Sequence, residues 1–377
     1  MLKWHYKLME TNLKESTPGH PPITTNISFN GGSKTGFRNK KKCKKKDLKK
    51  YLKRKAEKTL RKKRKKKRKA KTQRLFLTAL DSSSYTEKPV PSNFSLINNT
   101  EEVVSYFKDV GRSFANREQV EFNLEDTEQL SPDAIALLVA KVKNLNFTHG
   151  LNIKGNKPKK AELEKLFHDS GFLEHVNSRY NPPKNENNLL IHQRTHKKVH
   201  PEIAKQVGVL AVGHTFKNTS IFQPIYKIMI ECMANTDNHA NIHAEGIHDW
   251  WLFAYCDPNT NVTSFSFLDL GIGIFNSNPV NTYKQKLITT IEKVTDVSLR
   301  NNLKLVPKLF SGEIYTSRTK DKTRGQGLPT LKECSENPHI KNFTIITNNV
   351  KIELPSLITV ELKNKFNGTF LYWELHP

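Results

Sequence analysis

The sequence predicts an α/β protein: a C-terminal two-layer α/β sandwich preceded by a smaller N-terminal α/β domain. Three observations carry this. Apolar and polar residues alternate at 120–124, and from 132 onward apolar residues recur at helical spacing, a strand followed by a helix. Residues 250–268 hold two apolar, aromatic-rich runs on either side of Pro258-Asn259-Thr260-Asn261, which is turn chemistry. Ahead of them, residues 221–239 are rich in Ile, Met and Ala. Within that stretch Lys227, Glu231, Asn235 and His239 recur every fourth residue, one polar stripe on an apolar helix.

At 377 residues the chain is long enough for two cores. Its hydrophobic share, 36%, is low for one globule, so part of it is expected to be unfolded. The formal charge of +26 is concentrated: 24 of the 62 Lys and Arg lie in residues 38–74, with 2 of the 36 acids. The remaining 38 bases and 34 acids nearly balance. Residues 1–90 therefore read as a disordered basic tail, suited to polyanions through sequence-independent phosphate contacts. Gly31-Gly32-Ser33-Lys34-Thr35 lacks the spacing of a phosphate loop and has no strand before it.

Cys43, Cys232, Cys256 and Cys334 are far apart and form no CxxC pair, which argues against a zinc site or a structural disulfide. No apolar run reaches membrane-spanning length, so no membrane partner is expected. Trp4, His5, Tyr6 and Lys7 do not make the apolar core of a secretory signal. The expected location is cytoplasmic.

The N-terminal domain is placed at 91–178. Residues 100–107 read as a short helix, and 120–124 as a strand. In the next helix Ser131 suits the N-cap, Pro132 the first helical position and Asp133 the positive helix end. Its apolar face holds Ile135, Leu138, Val139 and Val142. A strand at 151–154 and a helix at 159–169 follow, with Gly171 as C-terminal cap.

Val120-Glu-Phe-Asn-Leu124, Leu130-Ser-Pro-Asp-Ala134 and Leu163-Glu-Lys-Leu-Phe-His-Asp-Ser-Gly171 together resemble the STAS domain, over about ninety residues. In regulated members of that family the helix start carries a phosphorylated Ser. Asp133 stands in that slot here, as a fixed negative charge or simply as a helix cap. Residues 179–215, with Pro182 and Pro183, read as a linker. Its His192, His196 and His200 have a spacing that binds zinc on a helix, but nothing completes the ligand set.

From 216 to 377 the chemistry is that of a nucleotide pocket. A carboxylate and an amide one helical turn apart, Glu231 and Asn235, can hold a metal and a water. After the hairpin, Asp269 ends a strand and Gly271 and Gly273 follow. An acid there accepts from an exocyclic amine, and glycines let the backbone approach a flat base. A basic loop with Arg318, Lys320, Lys322 and Arg324 runs into Gly325-Gln326-Gly327-Leu328, a helix start suited to phosphate. Strands are expected at 343–346, 358–362 and 369–375, with Asn367-Gly368 as a hairpin turn.

These motifs, in this order, resemble the GHKL superfamily of ATPases and kinases, over about 160 residues. The resemblance implies a Bergerat-type ATP-binding fold with ATP and Mg2+ as cofactors. It implies that Glu231 activates water or polarises the attacking group, that Asn235 is the magnesium ligand and that Asp269 accepts the adenine amine. Gly271 and Gly273 would shape the adenine wall, and Thr369 would lie beneath the base. His239, Arg324, Gly325, Gly327 and Leu328 would face the phosphates. Thr236, Leu270 and Pro329 depart from the family pattern and leave turnover open. The function so implied is an ATP-binding regulatory protein that hydrolyses or transfers the γ-phosphate to control docking with a protein partner. The alternative is ATP-gated nucleic-acid binding through residues 38–74.

Overall fold

The run Trp250-Trp251-Leu252-Phe253-Ala254 has no polar alternation, so a strand built from it needs cover on both faces. The fold supplies that cover from two different parts of the chain. The computed structural model describes residues 4–6, 85–176, 188–195, 199–218, 220–239, 248–277, 280–284, 302–316 and 326–377, all within one compact unit. The lysine-rich run 38–74, His196, Arg324 and Gly325 lie outside the described residues, as does most of the helix expected at 282–294.

The first part is mixed α/β. It contains β1 (Trp4–Tyr6), β2 (Thr86–Pro89), β3 (Asn93–Phe94), α1 (Thr100–Ala115), β4 (Val120–Asn123) and β5 (Gln129–Leu130). Then come α2 (Pro132–Lys143), α3 (Leu145–Thr148), β6 (Ile153–Gly155) and α4 (Ala161–Asp169). A four-stranded sheet runs β1-β6-β4-β2, with β2, β4 and β6 parallel and β1 antiparallel at one edge. The tail expected over 1–90 thus contributes strands at both edges. Composition hides them because one is three residues long and the other, Thr-Glu-Lys-Pro, is half exposed. Gly171 follows α4 at φ +76, as a C-terminal cap does.

The second part begins earlier than expected. β7 (Asn188–Thr195) and α5 (Pro201–Phe216) occupy the stretch read as a linker. Leu189 and Ile191 pack into the helix-side core beside buried Ala204, Val207, Ala211 and Val212 of α5. Pro182 and Pro183 lie outside the described residues, and the apolar residues from Leu189 onward build structure. Because His192 lies on a strand, the helical zinc spacing does not exist. Its ring stacks on Trp251, with centroids 4.1 Å apart.

Next come α6 (Gln223–His239), β8 (His248–Cys256), β9 (Thr263–Asp269), α7 (Asn302–Phe310), α8 (Glu313–Thr316), α9 (Gly327–Ser335), β10 (Ile340–Glu353) and β11 (Ile358–Leu375). The five-stranded sheet has the order β10-β11-β9-β8-β7, and every neighbouring pair is antiparallel. The hairpin expected over 250–268 is β8–β9. The turn expected at Asn367-Gly368 is a bulge inside β11. Thr347 pairs with Thr369 and Asn348 with Phe366, so two residues of β11 are surplus. The chain reverses instead between β10 and β11, at residues 354–357.

Two cores sandwich this sheet. Trp250, Leu252, Phe265, Phe267, Leu371 and Trp373 face α5, α6, α7 and α9. On the opposite face Trp251, Phe253, Leu268, Ile346 and Phe370 share one cluster with α1, α2, β4 and β6. The C-terminal sandwich is therefore not free-standing. Helix α2 lies between the two sheets, and every residue from Asp133 to Val142 is buried. Hydrogen bonds cross the seam from Lys351 Nζ to the Ile97 carbonyl (2.7 Å), from the Lys363 N–H to Glu101 Oε1 (2.7 Å) and from Lys108 Nζ to Asn364 Oδ1 (2.9 Å).

Asp133 is neither an exposed charge nor only a cap. It is 2% exposed and accepts from the N–H groups of Leu96 (3.3 Å) and Ile97 (3.2 Å) and from Ser95 Oγ (3.2 Å). Burial raises its pKa against these hydrogen bonds. Its carboxyl ties residues 95–97 to α2. No helix among the described residues is long and apolar enough to cross a membrane.

The shared core makes a prediction. Phe253→Ala leaves a void between α2 and the five-stranded sheet and is expected to cost about 3–5 kcal/mol. Urea unfolding followed by tryptophan fluorescence measures it, and a loss below about 1 kcal/mol, the range of surface substitutions, would show that the seam is not a core.

Candidate functional site

Helix α6 turns its apolar side, with Ile225, Ile228, Met229, Cys232 and Met233, into the helix-side core. Glu231 and Asn235 lie one turn apart on its half-buried flank. Helix α9 begins against them. A Cβ added at Gly327 would come 2.9 Å from Glu231 Oε2 and 3.2 Å from Asn235 Oδ1. A side chain there would fill the gap between the carboxylate and the helix start. The first-turn N–H groups of α9 have no partners within the helix, so an anion is favoured beside them. Pro329 fits that first turn, where no N–H is needed. Partial burial raises the Glu231 pKa, which suits a proton acceptor.

Asp269 closes β9, with Thr369 of β11 as its ladder partner. The Asp269 carboxyl is 7% exposed and accepts from the Gly271 N–H (2.8 Å) and from the Thr369 side chain. Burial outweighs both hydrogen bonds and pushes its pKa up to about 6. The carboxyl lines the cavity described below and is largely shielded from bulk solvent.

The glycine loop after Asp269 is held by two residues the sequence did not single out. Asn348 Oδ1 accepts from the Phe275 N–H (3.0 Å), and its Nδ2 donates to the Ile272 carbonyl (3.0 Å). Thr347 Oγ1 accepts from the Ile274 N–H (3.0 Å) and donates to the Gly368 carbonyl (3.0 Å). Gly273, at φ +77, lies so close that a Cβ would meet Asn348 Oδ1 at 2.5 Å. Gly368, at φ +112, leaves 2.1 Å between such a Cβ and the Asp269 carbonyl. The signal for the pair was the polar Thr347-Asn348-Asn349 directly after the apolar Ile345-Ile346.

These elements enclose one cavity of about 520 Å³, counting the part open to solvent. Asn235, Asp269, Gly273, Leu328 and Thr369 line it, over a floor that includes Phe267 and Leu331. Glu231 and Gly327 adjoin it through Asn235. Gly271 takes part through its N–H. His239 ends α6, and its side chain is outside the description, as are Arg324 and Gly325. Among the described residues no group of three or more His, Cys, Asp or Glu is placed to hold a metal ion. The cavity is apolar in the middle, with an acceptor at one end and a carboxylate, an amide and a helix start at the other.

No protein-family model matches the chain, and no curated protein matches it.

The two glycines of this region separate by conformation. Gly368→Ala puts a side chain at positive φ against the β9 backbone and is expected to cost about 1–3 kcal/mol. Gly213→Ala, within α5 and in ordinary contact only, is expected to stabilise by about 0.4–1 kcal/mol. Thermal denaturation of the two variants checks the ordering.

Proposed function

We propose that the C-terminal half is a GHKL-type domain of Bergerat-type fold that binds an adenine nucleotide with Mg2+, and that the protein is an ATP-dependent regulator acting on a protein partner. One observation carries the reading. Four segments separated in sequence, around 231–235, 269–273, 327–331 and 369, line or adjoin a single cavity. In this reading Asp269 accepts the exocyclic amine, Thr369 holds that carboxyl in place, and Gly273 lets the base lie against the backbone. The start of α9 and Gly327 face the phosphates.

The residues fit a magnesium ion of the kind that keeps several waters and is shared with phosphates, which needs only one or two protein oxygens. Asn235 would supply one through its amide oxygen. When bound, the ion neutralises phosphate charge and orients the terminal phosphoryl group. Glu231, half-buried and raised in pKa, would take a proton from the attacking water or hydroxyl.

The N-terminal half is read as STAS-like, with a difference. Buried Asp133, bonded to residues 95–97, replaces an exposed phosphoacceptor, so control by phosphorylation at that slot is absent from this reading. Nucleic-acid binding through residues 38–74 stays the alternative on charge alone.

Calorimetric titration of ATP into the full chain, with and without magnesium, tests the proposal. Asn235→Ala is expected to weaken magnesium-dependent binding about tenfold or more, the worth of one charge-assisted contact. Glu231→Ala is expected to spare binding and remove any turnover. ATP failing to bind the wild type would end this reading.

A pH dependence follows from Asp269. Its folded pKa is raised, so the proton is held more tightly than in the unfolded chain, and the acceptor becomes anionic only as pH rises through about 6. Affinity for adenosine, which has no phosphate to titrate, is expected to rise from pH 5 to pH 7. Asp269→Asn is expected to bind more weakly and to lose the pH step. A flat profile in the wild type would remove Asp269 from the base site.

A further inference from the structure

A second cavity lies on the other side of β11. It occupies about 750 Å³, counting the part open to solvent, between α1, α2, α3 and the β11 bulge. Phe107, Phe147 and Phe366 supply ring walls, and Lys108, Arg112, Lys141 and Lys365 supply four cations. Lys108, Arg112 and Lys365 are exposed at the rim. Lys141 is 8% exposed. Its ammonium lies over the rings of Phe147 (5.0 Å) and Phe366 (5.7 Å) and has no ion pair or hydrogen bond among the described residues. Asp109 answers only Arg112, at 2.7 Å, and both are on the surface.

A buried ammonium without a carboxylate is costly, and ring faces repay only part of its lost hydration. We infer that this cavity binds a small organic anion, a carboxylate, sulfonate or phosphate head on an apolar body, with the head on Lys141 and the body between the phenylalanine rings. Arg112 is paired with Asp109, but Lys108, Lys141 and Lys365 have no ion pair among the described residues, and that excess of positive charge selects a negative head. The rings select a body that a bare inorganic anion lacks. Burial alone holds Lys141 down to about 8, so an anion beside it would restore a fully charged ammonium. None of these residues lines the nucleotide cavity, so the inference stands whether or not that cavity takes ATP.

The test uses the full chain without nucleotide. Naphthalene-1-sulfonate, decanoate and inorganic sulfate are each titrated calorimetrically. At least one organic anion is expected to bind in a one-to-one complex and more tightly than sulfate. The tighter of the two tells an aryl body from an acyl one. Lys141→Met, which keeps the length and removes the charge, is expected to weaken that binding on the order of tenfold or more, and Lys141→Arg to retain most of it. Should the Met variant not fold, charge reversal at the exposed rim, Arg112→Glu with Lys365→Glu, is expected to weaken binding several-fold without disturbing the core. No binding by either organic anion, sulfate binding as tightly as they do, or unchanged binding in the Lys141→Met variant or the rim double variant would each overturn the inference.

Discussion

A sheet that is apolar on both faces must be covered on both, and most of this architecture follows from that need. In β8 the neighbours Trp250 and Trp251 point to opposite sides and are both buried. Helices α5, α6, α7 and α9 cover one side, and the N-terminal α/β part covers the other through α1 and α2. Removing either layer would leave large aromatic side chains in water, at about 25 cal/mol for each Å² of apolar surface uncovered. The two halves are therefore one cooperative structure, and the seam between them is a core, not a docking contact.

The candidate site sits where this sheet meets its helices, and its polar groups are held from behind. Asp269 accepts only one hydrogen bond from its own loop among the described residues, from the Gly271 N–H. Thr369 across the ladder steadies the carboxyl, while Thr347 and Asn348, one strand further on, anchor the glycine loop. The Asp269 end of the cavity is tied down by these hydrogen bonds. At the other end, the approach of Gly327 to Glu231 and Asn235 depends on how α9 packs on α6.

Features governed by near neighbours in sequence were legible. The β8–β9 hairpin, the start of α2 at Pro132 and the start of α9 ahead of Pro329 all follow from periodicity and turn chemistry. Features governed by distant partners were not. β1 is three residues that pair with the edge of β6, about 150 residues away. Strand β7 was masked by the prolines and histidines around it. Asn367-Gly368 carries the strongest short hairpin signal, yet pairing across β10 makes it a bulge. Glu231, Asn235, Asp269 and Gly273 could be chosen as chemistry, but Thr347 and Asn348 act on a loop 73 residues away, and only the fold brings them there.

The bulge in β11 has one more geometric meaning. Phe366 and Asn367 belong to the chamber lined by Lys141, while Thr369, three residues after Phe366, belongs to the chamber lined by Asp269. Strand β11 lies between the two voids, and its bulge, where two residues have no counterpart on β10, falls between the residues that line one and the residues that line the other. Whatever fills one compartment therefore lies against a strand that also borders the other.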